Sequence, residues 1–566
     1  MSNDSALCEL AERYWKFEMH EFPFKAFLAG QLGDEVILFR DAPADFDRRD
    51  QLVEDMMVEL SAISPARLNA SDRATYRLLE RELSDYRAHY QVNAHLRPSL
   101  LPVGPDFNTV FYANSASVQD GRTARLHADR LGAFANFLAD VTACLEAGYA
   151  KGIRYPRIVL EAAIANTRGL CAVGAEASPW FSAFLRSPAI AEPAVKCEAD
   201  RALQIIGEEL LPALSRYADF MTDRLLQGAR ESLACTDTPG GWAFYEVIVR
   251  NFTTLEMSPE AIHELGVCEV ARVETEIDAL AVDAGFAGDV QAYRHYLSTD
   301  PSFIAPDAAT LREQLEVICK RIDGRIPAFF SRIPRITYGV DSVPLTQSAA
   351  LPPAYAQPAS SGSASAGMFW VSGMPEKCPS YLHPALAVHE AWPGHLMHIG
   401  LMSELVELPA FRRFSASKYT VYVEGWALYC EQLGLELGVY TTPHHHYGRL
   451  EMEMWRACRL VVDTGIHWYG WSRDKAIQYM AERLTLQRGT IAAEIDRYAA
   501  LPGQALAYQI GGLKFRALRK RAETRLAENF SHRAFHEAVM TCGGVTLPVL
   551  DEIIDIWIDE QLTRPT

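Results

Sequence analysis

The sequence predicts a mainly α-helical protein with one small β element, and three observations carry that reading. Apolar residues recur at three- and four-residue spacing between helix start and stop signals through most of the chain. Pro, Gly and Ser displace that pattern at length only in RIPRITYGVDSVPLTQSAALPPAYAQPASSGSASAG, residues 332–367. A short apolar-aromatic run, MFWVSGM at 368–374, follows the break and reads as a strand.

Taken in order, SDRATYRLLERELSDYRAHY is a helix in which Ser71 or Asp72 caps the first turn and Tyr76, Leu78, Leu79, Leu83 and Tyr86 form an apolar stripe. In MSPEAIHELGVCEVARVETEIDALA, Ser258 caps and Pro259 suits the first helical position. Ile262, Leu265, Val267, Val270 and Val273 supply its apolar positions. A small break falls at CTDTPGG near residue 235. The main boundary, near 330, separates an N-terminal helical region, 1–330, from a chemistry-bearing helical region, 331–566, and the two can also form one continuous body. No internal repeat is present.

With 72 acidic against 54 basic residues and a formal net charge of −18, the chain has no field to attract nucleic acid or anionic lipid. Eleven cysteines, scattered without a C-x-x-C pair, fit a reducing compartment rather than a disulfide framework. The first residues lack the apolar core of a signal peptide, and no apolar run approaches the ~20 residues of a membrane span. The expectation is a cytoplasmic protein without membrane or nucleic-acid partners.

Chemistry concentrates in two stretches. SYLHPALAVHEAWPGHLMHIGLMSELV, residues 380–406, sets His383, His389, Glu390, His395 and His398 among Ala, Leu, Val, Met and Trp. Apolar residues on every face predict burial, and buried imidazoles and carboxylates need partners. A metal ion would satisfy several together. His389-Glu390 has the order of the H-E-x-x-H zinc helix, in which the Glu acts as base. The i+4 position, about 40° from His389 on an ideal helix, is Pro393, whereas His395 lies about 240° round. His395 joins His389 only if Pro393 and Gly394 distort the helix; His398 falls on the opposite side of a regular one.

The second stretch, KYTVYVEGWALYCEQLGLELG at 418–438, places Glu424 and Glu431 about two turns apart on one face of an apolar helix. They fit a metal ligand and a carboxylate orienting a histidine, or else core ion pairs with Arg449, Arg456 or Arg459. Two imidazoles and a carboxylate suit Zn2+, though iron or manganese can use the same donors. MFWVSGM could be the edge strand on which an extended peptide docks, or a core strand whose aromatics pack. The run His444-His445-His446 reads as an exposed turn.

HEAWPGH, VEGWALYCEQLG, RLVVDTGIHWYGWS and PGQALAYQIGGLKF, preceded by FTTLEMSPEAIHELGVCEV, resemble the successive signatures of the bacterial domain-of-unknown-function family numbered 885, over about residues 240–530. That family is related in fold to gluzincin metallopeptidases of the thimet-oligopeptidase and carboxypeptidase Taq type. The resemblance implies a large two-lobed helical body with a deep central cleft. It also implies zinc on His389, His395 and Glu424, with Glu390 as general base. The histidines stand two residues further apart than in gluzincins. By similarity, Tyr508 and His467 are candidate donors to a developing oxyanion, with Asp463 orienting His467. Arg456 and Arg459 either hold a substrate carboxylate or pair with neighbouring acids.

The expected function is therefore a zinc-dependent hydrolase of amide bonds in short peptides or peptide-like molecules, using metal-activated water and a glutamate base. The alternatives are a specialised amidohydrolase acting on a non-peptide substrate and a non-catalytic helical binding protein with a degenerate metal site.

Overall fold

In the computed structural model, residues 3–30, 39–348, 351–359 and 366–563 are described. Helix accounts for 71% of the protein and strand for 3%, so the class is mainly α. No helix among the described residues is long and apolar enough to cross a membrane.

The first helix that bears on the site's surroundings is α1, Ala70–Gln91. Its cap is Asn69, whose side chain accepts from the Asp72 amide, so the helix begins just before the expected Ser71 or Asp72. Leu78, Leu79 and Leu83 are buried as the stripe predicts. Helix α2, Gly121–Ala150, starts at an Asp120–Thr123 capping box and supplies much of the N-terminal core. Helix α3, Pro259–Asp283, is capped by Ser258 as expected. On α3 the apolar face is set by Ile262, Gly266, Val270 and Val273, while Val267, expected among the apolar positions, is exposed. Helix α4, Ala308–Asp323, closes the first half of the chain.

The break at 332–367 contains structure that its composition hides. Strands β1, Tyr338–Ser342, and β2, Ala354–Gln357, form within it, and β3, Gly367–Val371, follows. The order is β1-β3-β2, with β1 parallel and β2 antiparallel to β3. The expected edge strand is thus the central one, paired on both sides, and it offers no free edge to a peptide. Phe369 and Val371 point into the core, and Gly367 lies so near Leu396 that a Cβ would approach its side chain to 2.9 Å.

The rest is helical: α5, His383–Glu390; α6, His395–Ser403; α7, Thr420–Leu433; α8, Pro443–His467; α9, Ala507–Leu526; and α10, Leu547–Thr563. The run His444–His446 forms the first turn of α8, half-buried, with His444 Nδ1 2.9 Å from the Tyr293 hydroxyl. It is not an exposed turn. One continuous cluster of buried side chains runs from Leu7 to Ile558. Helices α3 and α8 touch at Gly266, where a Cβ would meet Leu460 at 2.7 Å. Helices α7 and α9 cross with their backbones in contact: a Cβ on Gly425 would lie 2.6 Å from Gly511, and one on Gly511 would lie 2.1 Å from the Val421 carbonyl. That crossing is what carries α9 to the site.

Candidate metal centre

Helix α5 ends at Glu390 because the next residues cannot continue it. Ala391 (ψ −130°) and Gly394 (ψ −137°) leave the helical region, and Pro393 has no N–H to donate. Gly394 is required by space: a Cβ there would sit 1.9 Å from the His389 carbonyl oxygen. The helix is broken and restarts as α6 at His395. Trp426 of α7 ties the break down, its indole N–H donating to the Pro393 carbonyl at 2.9 Å.

The consequence is that His389, in the last turn of α5, and His395, in the first turn of α6, face each other with ring centroids 4.8 Å apart and planes at 87°. Ligand-capable atoms of His389, Glu390 and His395, all buried, lie within 4.8 Å of one another. His398 is turned away, packed against the rings of Tyr422 and Trp426 at 4.8 and 5.6 Å. Of the two histidines weighed as partner for His389, the structure brings His395.

Helix α7 supplies both glutamates to the same histidine. Glu424 Oε2 lies 3.5 Å from His389 Nε2 and 3.4 Å from His395 Nε2. Glu431 Oε1 lies 2.8 Å from His389 Nδ1. Burial pushes the His389 imidazole down, but three carboxylates, Glu424, Glu431 and Glu390, outweigh it and leave it at about 9. Burial raises Glu424, and the two imidazoles reverse this to hold it well below the usual carboxylate range.

The geometry fits a metal. Four donors at ~2.0–2.1 Å from a tetrahedral Zn2+ stand ~3.3–3.4 Å from each other, close to the separations of Glu424 from the two Nε2 atoms. Among the described residues the buried Glu424 Oε2 has no hydrogen-bond partner, and the donor set is two imidazoles and a carboxylate. Glu431, accepting from His389 Nδ1–H, fixes the tautomer that leaves Nε2 free to ligate. Arg456 Nη2 stands 3.7 Å behind that carboxylate, and the Tyr440 hydroxyl donates to the Glu431 carbonyl at 2.7 Å.

Tyr508 lies one turn before Gly511 on α9, and Glu424 directly precedes Gly425 on α7, so the helix crossing sets the two side by side. Burial raises the phenol, and the Glu424 carboxylate raises it further. The Gln504 amide donates to the Tyr508 oxygen at 3.3 Å, leaving the phenolic proton to be given elsewhere. The Arg459 guanidinium stacks on the Tyr508 ring at 4.3 Å and pairs with Glu494 at 3.1 Å.

His467 and Asp463 are not brought to this cluster in their expected roles. His467 Nδ1 accepts from the Cys235 amide at 3.2 Å, and Nε2 donates to the Tyr498 carbonyl at 2.9 Å, so neither nitrogen is available to a substrate oxygen. Asp463 does not orient His467. It accepts from the Tyr245 hydroxyl at 2.7 Å and the Gly503 amide at 3.0 Å. Gln504 and Trp426 are the supporting residues that the sequence reading did not assign. The signal for each was its place in a quoted signature, PGQALAYQ for Gln504 and VEGWALYCEQLG for Trp426.

The family model described as "Bacterial protein of unknown function (DUF885)" matches residues 27–554. No curated protein matches the chain. A crystal structure from Colwellia psychrerythraea, described as a "putative lipoprotein", has a TM-score of 0.92 and 25% identity, covering 99% of this chain and 100% of that one. A structure from Shewanella oneidensis, described as a "putative lipoprotein of unknown function", has a TM-score of 0.69 and 16% identity over 96% and 99% of the two chains, and shows likeness of fold alone. The chain belongs to the DUF885 family.

Proposed function

We propose that this member of the DUF885 family is a zinc-dependent hydrolase that cleaves amide bonds in short peptides or peptide-like molecules, with the working parts of a gluzincin. The observation that carries the reading is the convergence of His389 Nε2, His395 Nε2 and Glu424 Oε2 within 3.4–3.5 Å contacts beside Glu390. The two extra residues between the histidines are absorbed by the break at Ala391–Gly394.

His389, His395 and Glu424 would hold the ion, which when bound supplies a Lewis acid that acidifies water and polarises a carbonyl. Glu390, adjacent in sequence to a ligand and buried with it, takes the proton from the attacking water and returns it to the leaving nitrogen. The Tyr508 hydroxyl, whose oxygen already accepts from Gln504, gives its hydrogen bond to the substrate oxygen as negative charge develops there. Glu431 keeps His389 in its ligating tautomer, and Arg456 offsets the charge of Glu431. His467 has no part in the chemistry.

Elemental mass spectrometry of the purified chain tests this. About one zinc per chain in the wild type, lost in both His389→Ala and Glu424→Ala, is the expected result. Wild-type protein that stays metal-free after incubation with zinc at neutral pH would sink the hydrolase mechanism.

A further inference from the structure

Behind Tyr508 the interior holds more positive than negative charge. Arg459 of α8 and Arg497, in the helix Arg488–Ala500, share one carboxylate, Glu494. Arg459 Nη2 lies 3.1 Å and Arg497 Nη2 2.9 Å from Glu494 Oε2, and Arg497 Nε lies 2.9 Å from Oε1. The Tyr498 hydroxyl donates to Glu494 at 2.8 Å and accepts from Arg459 Nε at 2.9 Å. Among the described residues no second carboxylate stands within ion-pair distance of either arginine. Asp463, which also acts on Arg497 from further off, is held by Tyr245 and Gly503. Two guanidiniums therefore face one acid.

Arg459 is 6% exposed, stacked between Trp455 at 4.9 Å and Tyr508 at 4.3 Å, and its Nη1 has no hydrogen-bond partner among the described residues. The aromatic faces offset part of a buried cation's desolvation but leave its N–H groups unmet. The second arginine is wired to the site: Arg497 Nη1 donates to Gln504 Oε1 at 2.8 Å, and the same amide donates through Nε2 to Tyr508. Tyr508 is the link, with Glu424 on one side of it and the surplus cation on the other.

We propose that Arg459 and Arg497 form a carboxylate-binding subsite next to the Glu424 cluster, so that the substrates are peptides or acylated amino acids carrying a free carboxylate beside the amide to be cleaved. An α-carboxylate follows the preceding amide by about one Cα–Cα step, ~3.8 Å, the same scale as the 4.3 Å that separates the Arg459 guanidinium from the Tyr508 ring. The word "cleaved" rests on the hydrolase reading; the anion subsite does not.

The test is calorimetric titration of chelator-treated, zinc-free protein with benzoylglycine and with benzoylglycinamide, which differ only in the replacement of the carboxylate by a neutral amide. The wild type is expected to bind the acid about tenfold or more tighter than the amide. Arg497→Gln should bring the ratio to about one, and Glu494→Gln, which removes the competing carboxylate, should raise it. The Glu494 variant shifts the charge in the opposite direction and decides the matter if the arginine variant does not fold. Equal affinities, or no binding of either probe at millimolar concentration, overturn the subsite. Turnover by the zinc-loaded enzyme with equal affinities sinks the subsite alone; a carboxylate preference without turnover of any amide sinks the hydrolase reading alone.

Discussion

Around His389 one carboxylate oxygen, Glu424 Oε2, reaches two imidazole nitrogens, while around His467 each polar atom is met where it stands. Both histidines are buried in apolar helices, and both have a carboxylate in the neighbourhood, Glu431 of α7 for His389 and Asp463 four residues back for His467. His389 is shared between Glu424 and Glu431, which together with Glu390 hold it at about 9. His467 sits between two backbone groups, and burial pushes it down to about 3, so it stays neutral with its proton on Nε2. Asp463, its neighbour one turn away, serves a tyrosine and a loop amide. The first group is poised for a ligand and the second cross-links the chain. Residue type and burial are alike in the two, and only the direction of donors and acceptors separates them.

The sharpest break of this comparison is a pair of alanine substitutions. His395→Ala should abolish zinc uptake and cost about 1–3 kcal/mol of unfolding free energy in chelator, because the Glu424 carboxylate loses one of its two imidazole partners while every backbone partner stays in place. His467→Ala should retain zinc and lose about 2–4 kcal/mol in urea denaturation, because the Cys235 amide and the Tyr498 carbonyl lose their partners. Loss of zinc in the second variant with native stability would erase the distinction.

Next in size is Glu390→Gln, which should keep zinc while lowering turnover of any cleaved amide by about 10²–10⁴. Unchanged kcat in a zinc-loaded Glu390→Gln enzyme would remove Glu390 as the base.

The cross-linking group makes its own prediction in pH. Burial raises Asp463 to about 7, against an ordinary value of 3.8, with Tyr245 and Gly503 only partly opposing it. The folded state therefore binds a proton that the unfolded state has released. Stability from this group is full below pH ~4 and is lost as pH rises through ~7, by about 4 kcal/mol in all. Denaturant midpoints from pH 4 to 8 should fall in the wild type by more than in Asp463→Asn; parallel curves would show that Asp463 stays ionised.

The smallest effect tests support rather than ligation. Glu431→Gln should weaken zinc affinity about 10–100-fold without abolishing binding, as for a carboxylate that orients a ligating imidazole. Competition with a fluorescent chelator reads it, and unaltered affinity would make Glu431 a partner of Arg456 only.

Helical class, the Ser258 cap and the paired face of Glu424 and Glu431 were legible because they depend on spacing along one element. The same local pattern failed at Val267, where Gly266 takes the core position because α8 presses on it, and at β1 and β2, whose strand character comes from pairing with β3 rather than from composition. Residues 380–406 read as a buried stretch whose helix Pro393 and Gly394 must distort for His395 to join His389, but that the distortion is a full break ending α5 at Glu390 was not written there. The break depends on what receives the freed carbonyl, and that is Trp426 of another helix.

The sequence by itself determined which residue types were available: two histidines about a Pro-Gly step, two glutamates on one helical face, and a Gly-Gly pair in the helix after Tyr508. Periodicity and backbone sterics act within a few residues and survive in any fold. Tertiary structure alone decided that His395 rather than His398 turns inward, that Glu424 reaches both imidazoles, that Tyr508 arrives through a glycine crossing, and that His467 is consumed by backbone. Those outcomes depend on angstrom-scale distances between elements far apart in the chain, which are fixed by packing and carry no local signature.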